Sequence, residues 1–215
     1  MVLAAKVEEP VEPDLVSGSF LPIVLRLSPV ARMTDRQFLQ FCSMNGDLRI
    51  ERAANGDLIV MPPASGESSY LNFGIAVQLG NWAQRDGSGV CFDSSGGFTL
   101  PNKSILSPDA SWVPKAKLAH LSKREKSRGF PPLCPDFVIE LRSASDRLPV
   151  VQQKMRDYIA NGARLGWLID PRTQKVHVYR PREAVKVLNK PRRLKGDPVL
   201  PGFVLDLDVV WNPDL

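Results

Sequence analysis

Cysteine and histidine are scarce in this chain, with three of one and two of the other among 215 residues. Cys42, Cys91 and Cys134 are odd in number and widely spaced, which excludes a disulfide framework and a metal knuckle. A reduced, cytoplasmic setting is the expectation. His120 and His177 are too few for a His-rich zinc site or a Ser-His-Asp triad. No run approaches the ~18 apolar residues of a membrane span, so no membrane association is expected. The opening residues MVLAAKVEEPVEPD lack a basic region followed by an apolar run, so no signal peptide is expected. There is no Gly-rich phosphate loop and no dinucleotide-binding fingerprint, and Gly96-Gly97 reads as a turn.

What is present fits a single globular unit. The apolar fraction is 43%, and the length suits one sizeable core. Net charge is +5, a modest bias toward polyanions that many soluble proteins share. Residues 1–30 read as a loosely ordered N-terminal arm, gaining order near Phe20 to Leu27, and 31–215 as one domain. Thr34-x-x-Gln37 predicts a capping box opening a helix that stops by Gly46. Leu48 to Met61 predicts a hairpin with Asn55-Gly56 as a type I′ turn. Leu71, Ile75, Leu79 and Trp82 recur at helical spacing within Ser65 to Gln84. Val90 to Phe92, Phe98 to Leu100 and Ile105 to Val113 read as strands, followed by a basic stretch from Lys115 to Arg128. Phe137 to Arg142 and Gly166 to Asp170 read as buried strands flanking a helix from Leu148 to Asn161. A hairpin from Lys175 to Leu188 and an apolar tail, Leu200 to Trp211, complete a mixed α/β or α+β fold.

The most informative segment is Pro135-Asp136-Phe137-Val138-Ile139-Glu140-Leu141-Arg142. It reads as a strand buried on both faces that nonetheless carries charge. Buried charge is costly unless paired or bound to a metal. Asp136 and Glu140 share a strand face but stand roughly 13 Å apart, too far to share one ion. Asp109, on another strand, can approach Glu140 at the ~5 Å spacing of neighbouring strands. A turn aspartate is the bland reading of Asp109, and a structural pair with Arg142 is that of Glu140. Lys154 lies at the edge of the apolar stripe Val151, Met155, Tyr158 and Ile159, where it either snorkels or leans over the strand end. Glu67 sits in a first helical turn, where the dipole alone accounts for it. Two carboxylates on adjacent strands plus a cation suit Mg²⁺ or Mn²⁺ and phosphodiester hydrolysis.

Three blocks carry a family resemblance: Ser107-Pro108-Asp109-Ala110-Ser111-Trp112-Val113, the segment Pro135 to Ser143, and Lys154-Met155-x-x-Tyr158 with Asn161 through Pro171. They resemble the Uma-two family of the restriction-endonuclease-like PD-(D/E)XK superfamily, from about Thr34 to the C-terminus. The resemblance implies a central mixed sheet flanked by helices. It implies a metal-dependent endonuclease acting on nucleic acid, with Asp109 and Glu140 as metal ligands. The superfamily's usual lysine, two residues after the acid, is Arg142 here, which cannot act as a titratable base. The resemblance assigns the lysine function to Lys154, with Arg142 assisting, and matches Glu67 to an occasional extra metal ligand. The expected partner is DNA, held through the basic stretch Lys115 to Arg128 and the Arg and Lys residues from Arg180 to Lys195. A homodimer would let a one-site enzyme cut both strands. Two alternatives stay open: a non-catalytic nucleic-acid-binding or assembly protein on the same fold, and a metal-independent hydrolase using Asp109 and Glu140 as an acid–base pair. The aromatic fraction of 7% weighs against a sugar cleft.

Overall fold

The computed structural model of the chain describes residues 21–215. Most of the expected arm therefore lies outside the described residues. The part inside them includes β1 (Ile23–Leu25). Thr34 caps α1 (Asp35–Met44): its hydroxyl accepts from the Gln37 N–H, and the Gln37 side chain accepts from the Thr34 N–H. This is the reciprocal box expected from the sequence. The hairpin follows as β2 (Arg49–Arg52) and β3 (Leu58–Met61), with β1 paired antiparallel to β3. Its turn departs from the expected two-residue type I′. The Ala53 N–H still bonds to the Asp57 carbonyl at 2.8 Å, and Gly56 alone has positive φ, +95°. The loop thus spans Ala54 to Gly56, with glycine at the one position that disfavours a side chain.

α2 (Gly66–Asp86) leads into β4 (Gly89–Asp93). The expected strand from Ile105 to Val113 is broken. β5 (Phe98–Thr99) and β6 (Ile105–Leu106) pair with each other, and β7 (Ala110–Pro114) begins only after Pro108-Asp109. The basic stretch folds as two short helices, α3 (Lys115–Ala119) and α4 (Lys123–Ser127). β8 (Phe137–Leu141), α5 (Leu148–Ala160) and β9 (Leu165–Asp170) form a parallel β-α-β unit. β10 (Lys175–Tyr179) and β11 (Lys186–Asn189) make the expected hairpin. β12 (Arg193–Lys195), β13 (Val204–Asp206) and α6 (Asp208–Trp211) close the chain.

The architecture is the expected mixed sheet flanked by helices. Six strands run in the order β11-β10-β9-β8-β7-β4, and only β8 and β9 are parallel. A second, five-stranded sheet has the order β1-β3-β2-β6-β5. The chain passes from one sheet to the other at Ser107-Pro108-Asp109, and this joint positions the site.

Alternation along β8 builds two cores. Phe137, Ile139 and Leu141 face Leu71, Ile75, Leu79 and Trp82 of α2, together with Phe203, Leu205 and Trp211 of the apolar tail. Val138 faces Val151, Met155 and Tyr158 of α5. Glu140, two residues on, shares the α5 side. Gly166 leaves room for the Met155 methyl, because a Cβ there would meet its Cε at 2.5 Å. Burying each large apolar side chain contributes roughly 1.5–3 kcal/mol. The four apolar residues of β8 thereby offset the several kcal/mol that desolvating one carboxylate costs.

Candidate active site

Glu140 is 6% exposed, on the α5 face of β8. Asp109 reaches it from the next strand. Ala110 pairs with Ile139, so one step further along the antiparallel ladder sets Asp109 against Glu140. The Asp109 Oδ2 accepts the Leu141 N–H at 2.9 Å, which pins the carboxylate over the end of β8.

Lys154 enters from the middle of α5. Its Nζ lies 2.9 Å from the Glu140 Oε1, 2.9 Å from the Glu51 Oε1 and 3.0 Å from the Ser107 carbonyl. The sequence left open whether this lysine snorkels or serves the strand end, and it serves the strand end. The Tyr158 hydroxyl, one turn along α5, donates to the same Glu140 Oε1 at 3.1 Å. Glu51, only 3% exposed, also accepts the Ser107 N–H at 2.9 Å and so ties the crossover segment to β2.

Burial dominates the electrostatics. It pushes the Glu140 carboxyl up to about 8, helped by Asp109 and Glu51 and opposed by Lys154. Burial likewise raises Asp109, against the lowering effects of Lys154, the Leu141 N–H and Arg49. For Lys154 burial acts downward, but Glu140, Glu51 and Asp109 outweigh it and hold the ammonium above its ordinary value. The lysine is a fixed cation, unsuited to act as a base. Burial, then Glu140 and Glu51, keep the Tyr158 hydroxyl protonated.

Two expected participants are placed elsewhere. Arg142 does not pair with Glu140. Its Nη1 lies 2.8 Å from Asp170, and its Nε donates to the Asp146 carbonyl at 3.2 Å. Asp170 is fully buried and also accepts from Thr173 and from the Arg172 N–H, so this knot fastens β8 to the end of β9. Arg142 lies just past the last strand residue, where strict alternation no longer fixes its direction. Glu67 is exposed in the first turn of α2 and shares no hydrogen bond or ion pair with Asp109, Glu140 or Lys154. The acid that joins the site instead is Glu51. Its signal was faint: in Arg49-Ile50-Glu51-Arg52 it alternates with the buried Ile50, which reads as a solvent face. Lys154 of α5 and the Ser107 crossover segment cover that face. Tyr158 was legible only as part of the apolar stripe.

Among the described residues, no three His, Cys, Asp or Glu side chains are grouped to hold a metal by themselves. Asp109 and Glu140 remain a two-carboxylate set of hard oxygen donors. That suits Mg²⁺, which commonly takes one or two carboxylates and keeps several waters. Each carboxylate has one oxygen engaged by the protein, Oδ2 of Asp109 and Oε1 of Glu140, and its second oxygen makes no protein hydrogen bond. Three carboxylates, Glu51, Asp109 and Glu140, face two cations, Lys154 and Arg49, leaving the cluster one negative charge in excess when all are ionised. A divalent cation would reverse that sign and make the site attractive to a phosphodiester.

The Uma2 family, described as "Putative restriction endonuclease", matches residues 35–208. The chain is also similar to the crystal structure of a putative nuclease of the DUF820 group from Anabaena variabilis ATCC 29413. The TM-score is 0.67 at 20% identity, over 83% of this chain and 97% of that one. The comparison with curated proteins gives no match.

Proposed function

This chain belongs to the Uma2 family, and from that premise we propose that it is a metal-dependent endonuclease hydrolysing DNA phosphodiester bonds. The observation that carries the reading is the buried set of Asp109, Glu140 and Lys154 at the joint between two sheets. Asp109 and Glu140 would hold Mg²⁺ or Mn²⁺. The bound ion would supply a water of lowered pKa and polarise a phosphoryl oxygen. In the hydrolysis, water oxygen bonds to phosphorus, the ester P–O bond breaks, and a proton passes to the departing oxygen. Lys154 keeps Glu140 oriented and offsets its charge, while Tyr158 fixes which Glu140 oxygen stays free. Glu51 anchors Lys154 in turn. The joint at Ser107-Pro108 gives the set a rigid mount.

Exposed basic residues would carry the DNA backbone. Lys115, Lys123, Arg124, Lys126 and Arg128 are exposed around α3 and α4, as are Arg182, Lys186, Lys190, Arg192, Arg193 and Lys195 near the C-terminal strands. Lys117 is spent on Asp136 at 2.9 Å. A second copy would pack on the outer face of α2. Tyr70, Phe73 and Val77 are exposed there, 36%, 70% and 40%, in a run from Ser68 to Gln84 without a charged side chain. Two chains of net charge +5 meet with least repulsion on such a face. Free Cys42, Cys91 and Cys134 suit a reducing cytoplasm.

Plasmid nicking tests the reading. We expect conversion of supercoiled to open-circular DNA with Mg²⁺ or Mn²⁺ and none with EDTA. One observation favours a second reading, a DNA-binding protein without catalysis: Lys154 hydrogen-bonds to Glu51 and the Ser107 carbonyl and pairs with Glu140, all within the protein. Salt-sensitive DNA retention without cleavage in either metal would select it.

A further inference from the structure

Lys154 is committed to protein partners and poorly placed to touch a substrate phosphate. An ammonium has three N–H donors. Two are given to Glu51 and the Ser107 carbonyl, at 2.9 and 3.0 Å, and the Nζ is also ion-paired with the Glu140 Oε1 at 2.9 Å. The transition state of phosphodiester hydrolysis still gathers negative charge on the non-bridging oxygens and needs a donor there.

Arg49 is the other cation at the site. It lies two residues before Glu51 on β2 and therefore shares its face. Its Nη2 stands 3.8 Å from the Asp109 Oδ1, beyond hydrogen-bond reach, and donates to the Ser107 carbonyl at a long 3.3 Å. Its Nε is sealed from water and has no hydrogen-bond partner. The side chain is nevertheless 36% exposed, whereas that of Lys154 is 15%. A guanidinium carries five donors, and this one has a single weak bond. The exposed end of the guanidinium, whose Nη1 makes no protein hydrogen bond, is therefore free to meet an arriving acceptor. The planar fork matches two phosphate oxygens, which an ammonium cannot do.

We propose that Arg49 is the phosphate-gripping residue of this site, engaging the non-bridging oxygens of the scissile phosphodiester beside Asp109, and that Lys154 is a positioning residue. The proposal rests on the nuclease reading for the word scissile, but its binding half stands without it. The competing role for Arg49 is merely to offset the charge of Asp109, and the experiment separates the two.

Binding of a fluorescein-labelled 20-base-pair duplex would be measured in EDTA across a salt series, for the wild type, Arg49→Gln and Arg49→Lys. Nicking in Mg²⁺ or Mn²⁺ would be followed alongside, with urea melts to confirm folding. Arg49→Gln is expected to lower the slope of log K against log salt by about one. It is also expected to lower the cleavage rate on the order of 10²–10³-fold. Arg49→Lys should restore the slope, because the charge returns, but only part of the rate, because the fork does not. An unchanged slope in a folded Arg49→Gln protein overturns the proposal, as does a wild type that fails to bind the duplex at low salt. A wild type that binds without cleaving in either metal sinks the nuclease reading instead, and the slope alone then decides Arg49.

Discussion

Replacing Lys154 by methionine keeps the helix and the stem of the side chain but removes the one cation between Glu51 and Glu140. At 2.9 Å and an effective dielectric near 20, each contact is worth about 6 kcal/mol in gross Coulomb energy. Most of that is cancelled by desolvation, and breaking a buried pair typically costs about 3–5 kcal/mol. The variant has an escape, which is to fold with the stranded carboxyl protonated. Glu140 already sits near 8, so the new cost falls on the second carboxylate that Lys154 contacts. Holding a glutamate protonated in the fold costs about 1.36 kcal/mol for each pH unit above its unfolded value of about 4.3. The sign follows directly. A carboxyl with a raised folded pKa binds a proton that the unfolded chain has released, so stability falls as pH rises. The loss should be about 2 kcal/mol near pH 5.5 and about 4 kcal/mol near pH 7. Above that it should level off near the ~5 kcal/mol of an unpaired buried charge. Urea titrations of the wild type and Lys154→Met across this range measure it. A loss that is equal at every pH, or absent, would refute the view that Lys154 neutralises buried carboxylates.

Asp170→Asn should destabilise the fold by about 3 kcal/mol, since it breaks the pair between Arg142 and the buried Asp170 carboxylate; folded molecules should nick DNA at close to the wild-type rate, and a selective loss of rate would return Arg142 to the chemistry. Glu51→Gln should slow nicking by loosening Lys154 while leaving Mn²⁺ affinity, followed by electron paramagnetic resonance, nearly unchanged; a large loss of affinity would make Glu51 a ligand. Phe73→Asp should shift sedimentation from dimer toward monomer at micromolar concentration, and an unchanged distribution would move the interface off α2.

Much of this was legible in the sequence because it rests on local physics. The Thr34 box, the helix stripe of α2, the doubly buried β8 and the β-α-β unit each follow from spacing and capping. Asp109 facing Glu140 follows from adjacent strands. What was hidden depends on tertiary placement. The strand expected from Ile105 to Val113 changes sheets at Pro108, and no periodicity announces that. Glu51 looks solvent-facing until α5 and the crossover segment cover it. Arg142 sits one residue beyond the last rung of β8, so its partner is decided by the Asp170 corner.

The central claim is that Asp109 and Glu140 hold the metal that cuts DNA. Its most direct test compares plasmid nicking by the wild type and by Asp109→Ala/Glu140→Ala, each shown to be folded and to bind DNA. Metal-dependent nicking by the wild type should disappear in the double variant. Nicking that survives the double substitution, or a wild type inert in both Mg²⁺ and Mn²⁺, would contradict it.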